Sequence, residues 1–381
     1  FRWWVEFSPP SFCPEIAVGE SDTCEPRQIQ DYGIPEDRKP FVKGSAVVGL
    51  FLYNFESDCQ GLFPEFVNCN DLDGEFKSQY EDFLVHFVKH YMDQIALYRV
   101  GLEVNYGDGS GATASKDMEW AAEWITWQCE IIKGIDPEAV ISVDLLDWRS
   151  NANADQQLRD NNNARLAGGK KSLGMFEDEF IDLLISKGAQ FDVIGIELHP
   201  GYMITFDGAE AELELLEQYG KPIYVWEDIV PSQNEARAVR SCGSRGTCPD
   251  GGFSEEYQAE TVIRFFKMLI EEHPLVIGFE YLGFRDNEDL LEPLPSDERD
   301  PDVPTTHGWV SEDASPKPVY HAVQEYWHSL FTNGQGITDE NGQITFTAIP
   351  GWFAIMVDGK NEVLLIAKET NKTTIEISNN K

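Results

Sequence analysis

Basic charge is scarce in this chain: 29 Lys and Arg stand against 67 Asp and Glu in 381 residues, a formal net charge of −38 and a pI near 4.3. A field of that sign repels phosphate backbones and anionic lipid surfaces, so nucleic-acid partners are excluded. Long apolar runs are also missing, and no membrane insertion is expected. The chain opens at Phe1 with neither an initiator Met nor a signal peptide, as a processed or incomplete polypeptide would. Phosphate-binding and zinc-protease signatures are lacking too. "GDGSG" has none of the flanking features of a dinucleotide fingerprint, and there is no Walker loop and no HExxH. "NDLDGEF" fails as a calcium loop, because placing Gly74 at its turn puts Cys69 and Tyr80 where acidic ligands belong. No cofactor and no specific metal site are expected, although so acidic a surface leaves room for structural calcium.

What the chain does have is enough apolar residue, 42%, to bury one large core and a smaller appendage. Its acidic residues are spread along the whole length, the pattern of a strongly solvated surface. Six of seven cysteines fall in close neighbours: Cys13 with Cys24, Cys59 with Cys69, and Cys242 with Cys248. Local disulfides in an oxidising, extracellular setting account for them better than metal sites or six free thiols. Cys129, inside "EWAAEWITWQCEIIKGI", reads as a buried apolar residue. Trp120, Trp124 and Trp127 repeat at helical spacing there and read as core contacts. A single sequon at Asn371 is compatible with secretion and glycosylation.

From residue 41 onward, β-rich runs alternate with longer amphipathic ones. The runs are 46–55, "ALYRVGLEV", 139–146, 191–198, 222–230 and 275–284, each followed by a helical pattern. Continuous apolar strands separated by helices indicate a parallel sheet covered on both faces, and six such units point to a (β/α)8 TIM barrel. "FRWWVEFS" supplies one more strand, and the first strand is expected upstream of Phe1. Residues 1–332 then form the barrel. Residues 333–381, with β runs punctuated by NG, PG and DG, form a small C-terminal antiparallel β module that could serve self-assembly.

All strand C-termini of such a barrel open on one face, where catalytic residues sit. Glu103 ends one strand run and Glu227 ends "PIYVWE". Two carboxyl groups about 5 to 5.5 Å apart suit a double-displacement glycosidase, one as nucleophile and the other as acid and then base. Tyr202, Trp226, Tyr281 and Trp309 lie at or just past strand ends, where rings can stack on sugars. Asn54, Asn105, Glu197, Arg285 and Asp286 could donate or accept hydrogen bonds there.

Several stretches in order resemble family 10 glycoside hydrolases. "HYMDQIALYRVGLEVN" is similar to the family segment ending in WDVVNE, "FDVIGIELHP" to its DGIGIQSHL strand, "KPIYVWEDI" to its WITELD strand, and "GWVSEDASPKPVYHAV" to its closing LLFDENYQPKPAY segment. The resemblance implies a secreted retaining hydrolase of a β-1,4-linked polysaccharide such as xylan, with Glu103 as acid/base, Glu227 as nucleophile and His199 orienting it. Where the family has Asn before the acid/base, this chain has Leu102. The family's His and Trp on the third strand are Leu50 and Asn54, and its Trp on the last strand is Leu282. These departures imply a different glycan, or a catalytically silent glycan-binding or assembly protein.

Overall fold

The computed structural model describes residues 2–4, 44–48, 74–92, 95–101, 103–105, 118–147, 149, 159, 160, 162, 174–286, 306–330, 351–357 and 360–366. The chain divides into two compact units, residues 1–146 with 156–195, and residues 147–155 with 196–381. The boundary expected at residues 332 and 333 lies outside the described residues.

In the first unit, β1 (Arg2–Trp4), β2 (Gly44–Val48), β3 (Ile95–Val100) and β4 (Ile141–Leu146) pair in parallel. One register row runs Trp3, Ala46, Tyr98, Ile141. "FRWWVEFS" therefore does contribute a strand. Three helices alternate with these strands: α1 (Glu75–Tyr91), α2 (Met118–Ile135) and α3 (Glu177–Lys187). On α2 the buried positions Ala121, Ala122, Ile125, Cys129 and Ile132 follow the helical period, so one face is covered. Trp124 is buried and stacks on Tyr80 of α1 with ring centroids 5.9 Å apart, while the Lys77 ammonium lies 4.5 Å from the Trp127 ring. The tryptophan series is thus interhelical packing. Burial raises the Cys129 thiol to about 12, which keeps it protonated and unreactive.

The unit boundary falls within β5 (Val193–Glu197). Beyond it come α4 (Phe206–Glu217), β6 (Ile223–Glu227), α5 (Ala236–Arg245), α6 (Glu255–Lys267), β7 (Val276–Phe279) and α7 (Pro318–Leu330). β6 and β7 are again parallel. Strand order follows chain order from β1 to β7, the (β/α)8 arrangement, and no eighth barrel strand lies among the described residues. Capping fixes the helix starts: Thr205 Oγ1 accepts from Gly208 N at 3.0 Å, and Ser254 Oγ from Tyr257 N at 3.1 Å.

Of the strand expected over 46–55, residues 46–48 lie in β2 and residues 49–55 lie outside the described residues. The structure differs from sequence expectation in three places. The run over 275–284 is regular strand only to Phe279; beyond it the Glu280 and Leu282 N–H groups still donate to the Val225 and Asp228 carbonyls, and Gly283 adopts φ 77°. A single helix expected to His273 changes at Met268 into a π-helical turn, Met268–Glu272. α5 was not expected at all: its sequence is polar, and its apolar anchors are Ala238 and Cys242, one turn apart. The Cys242–Cys248 disulfide is formed; the other two expected pairs, Asn371 and the "NDLD" stretch lie outside the described residues. Near the C-terminus β8 (Gly351–Val357) and β9 (Lys360–Ile366) form an antiparallel hairpin, with Val357 opposite Lys360 where the sequence reads Asp-Gly. No helix among the described residues is long and apolar enough to cross a membrane.

Candidate active site

Glu103 lies three residues beyond the end of β3, half-buried, and its backbone is left-handed at φ 47°. A non-glycine residue there costs about 1 kcal/mol and needs local restraint. Asp144 of β4 supplies it. The Glu103 N–H donates to Asp144 Oδ2 at 3.2 Å, and the Val104 N–H donates to the Asp144 carbonyl at 3.0 Å. Asp144 is in turn paired with Arg99, both side chains fully buried. A charge pair inside the unit thus anchors the peptide that carries the candidate acid. Gly101 makes the approach feasible: it adopts φ 77°, and a Cβ there would meet Val104 Cγ1 at 2.1 Å. Asn105 is buried and fully engaged. Its amide donates to the carbonyls of Leu146 (2.9 Å) and Met175 (3.2 Å) and accepts from Leu146 N (2.8 Å). It is a staple between chain segments.

In the second unit, Glu227 closes β6, and its carbonyl accepts from Leu198 N at 3.1 Å. That bond brings the residue after β5 beside Glu227. His199 follows it, buried, and its carbonyl accepts from the N–H groups of Tyr202, Met203 and Ile204. Burial lowers the imidazole to about 4; the negative charge of Glu227 works against this and Arg245 works with it. His199 is therefore neutral at physiological pH. A neutral imidazole brings no positive charge to the neighbourhood of Glu227. Its Nδ1 is buried without a hydrogen-bond partner.

Next to Glu227 stands Asp228, fully buried, whose carboxyl oxygens find no well-aligned partner. Burial raises its pKa well above the usual carboxylate range, opposed only by the adjoining Ile229 N–H. The folded chain therefore holds the proton of Asp228 more tightly than the unfolded chain does. Above pH ~4 the unfolded chain ionises this group more readily than the folded chain, so stability falls as pH rises until the folded group also ionises. Asp228→Asn should be more stable than the parent at pH 7 by about 1 to 3 kcal/mol, with the gap closing toward pH 4. Denaturant melts across that range check this; a gap that does not change with pH would refute it.

The four aromatics expected at strand ends differ in exposure. Tyr202 is 0% exposed and packs with Ile229, Ala238, Cys242 and Phe253. Trp226 is also 0% exposed, its ring 4.3 Å from that of Tyr224. Both rings are thus packed against protein neighbours in this structure. Tyr281 commits its hydroxyl to the His307 carbonyl at 2.8 Å and accepts from Val230 N at 3.1 Å, within a set that Gln258 completes by donating to the Val230 and His307 carbonyls. Asp286 is held by the buried Lys317 ammonium at 3.0 Å. The Arg285 Nε donates to the Glu312 carbonyl at 2.7 Å. Glu197 is buried at the end of β5, and Asn54 lies outside the described residues. Trp309 is half-buried, 5.3 Å from the Tyr281 ring, and Phe284 beside it is 52% exposed.

Sequence reading missed Asp144, Asp228, Glu280 and Phe284. Asp144, Asp228 and Glu280 had a signal: each is a charge within or directly after an apolar strand run. Glu280 follows β7 directly, its N–H donating to the Val225 carbonyl at 2.8 Å.

Among solved structures, the chain is similar to the catalytic core of xylanase A and to a thermostable mutant of a xylanase from Cellvibrio japonicus. Each matches at 14% identity over 74% of this chain and 78% of that one, with a TM-score of 0.50. A xylanase from Thermotoga petrophila in complex with xylobiose matches at 18% identity over 67% of this chain, with a TM-score of 0.45; the present chain spans 66% of its length. No protein-family model matches the chain, and no curated protein matches it. At such identities the likeness shows the fold alone, a (β/α)8 barrel.

Proposed function

We propose that the chain is a secreted retaining glycoside hydrolase acting on a β-linked polysaccharide of the xylan type, with Glu227 as nucleophile and Glu103 as acid/base. The observation that carries this reading is the placement of each glutamate at the C-terminal end of a parallel strand, Glu103 just past β3 and Glu227 closing β6, in a fold of the xylanase kind. The strained, anchored backbone at Glu103 adds support, since such restraint clusters at functional positions.

In this reaction Glu227 attacks the anomeric carbon while Glu103 gives its proton to the departing oxygen; a water deprotonated by Glu103 then releases the sugar from Glu227. The chemistry requires no cofactor. His199, neutral, orients the nucleophile. The Cys242–Cys248 bridge supports an oxidising extracellular location.

A second reading, a silent glycan-binding or assembly protein that uses the C-terminal β module for self-association, draws on the burial of Tyr202 and Trp226 and the engagement of Asn105 and Asp286. Reducing-end release from xylans, β-glucans and mannans separates the two. The hydrolase reading expects release from at least one polymer by the parent and none by Glu227→Ala. No release by the parent from any polymer, with polymer binding kept, favours the second reading.

A further inference from the structure

We propose that α1 carries a surface site for a divalent transition ion, with Cu(II) the tightest, ligated by the imidazoles of His86 and His90. The helix buries Tyr80, Phe83, Leu84, Phe87 and Val88 and turns His86 and His90 to solvent on its other side. The two rings are one turn apart, 5.9 Å between centroids and only 12° from parallel. An ion about 2.0 to 2.1 Å from one nitrogen of each ring needs centroids roughly 5 Å apart, a closure of under about 1 Å that exposed side chains reach by small torsional changes. Tyr91 meets the His90 ring edge-on at 4.5 Å and limits its rotation.

The remaining histidines leave this as the one place where two imidazoles can share an ion. His199, His273 and His307 are buried, and His321 and His328, though exposed, stand two turns apart on α7. Roughly 10 Å of helix rise separates them, too far for one ion. Imidazole favours copper, nickel and zinc over calcium or magnesium, so the site differs in kind from any acidic calcium site. The net charge of −38 raises the local concentration of cations, and Asp82, exposed one turn before His86, places a carboxylate on the same side; Lys89 opposes it.

The test is calorimetric titration of the intact chain with Cu(II) at neutral pH, joined to electron paramagnetic resonance of the one-equivalent sample. The expected result is one tight equivalent with a two-nitrogen signature. His86→Gln and His90→Gln should each weaken it about tenfold or more, because the second imidazole acts at high effective concentration, while His321→Gln leaves it unchanged. Circular dichroism checks that these exposed substitutions leave the fold intact. Equal binding by the parent and the His86→Gln/His90→Gln double variant, or no tight equivalent in the parent, overturns the proposal. Neither outcome depends on whether the chain cleaves a glycan.

Discussion

Replacement of Glu103 by glutamine should lower polysaccharide cleavage by about 10²- to 10⁴-fold, the usual contribution of a general acid, while sparing formation of the glycosyl-enzyme from a dinitrophenyl glycoside. A sugar alkoxide is a poor leaving group and needs a proton as its bond breaks, whereas dinitrophenolate departs without one. Glutamine keeps the backbone N–H that bonds Asp144, so the left-handed turn survives and only the proton is lost. With the aryl substrate the second step becomes limiting, since no base deprotonates water. Added azide, which needs no deprotonation, should then restore turnover and yield a glycosyl azide of retained configuration. Glu227→Ala should lose both substrates, because the covalent intermediate cannot form. A Glu103→Gln variant that loses both substrates equally, or neither, would remove Glu103 from the acid/base role.

The strand-helix order was legible because apolar β-rich runs and amphipathic helices differ in period, and that signal needs no tertiary information. Helix α5 was not, since a ten-residue helix anchored by Ala238 and Cys242 has too few apolar positions to show a period. The placement of Glu103 and Glu227 at strand ends could be read from where apolar runs stop. What surrounds them could not. Trp226 and Tyr202 read as sugar platforms by position along their strands, yet whether a ring faces a groove or a core is set by neighbours such as Tyr224 and Phe253 that spacing does not specify. Asn105 illustrates the same limit: an amide next to a catalytic candidate looks like a ligand until the carbonyls of Leu146 and Met175 are seen to consume it.

The Arg99–Asp144 pair separates holding the fold from holding the site. Both groups are fully buried, so removing one takes away an opposite charge that the other faces inside the core. Asp144→Ala should therefore cost about 3 to 5 kcal/mol of stability, read as a lowered denaturant midpoint. Replacing both partners with apolar residues of similar bulk, Arg99→Met with Asp144→Leu, should return stability to near the parent or above it, since two desolvated charges disappear together. Catalysis should not return with it. The double variant lacks the carboxylate that accepts from the Glu103 N–H and keeps only the Val104 N–H bond to the carbonyl of residue 144, so the left-handed turn that aims Glu103 is held less firmly. The expected signature is parent-like melting with reduced kcat on polysaccharide, and a smaller loss on a dinitrophenyl glycoside that needs no acid. Recovery of both stability and polysaccharide turnover would show that the pair serves the fold alone, and that the strained backbone at Glu103 is set by Gly101 and its close approach to Val104 rather than by Asp144.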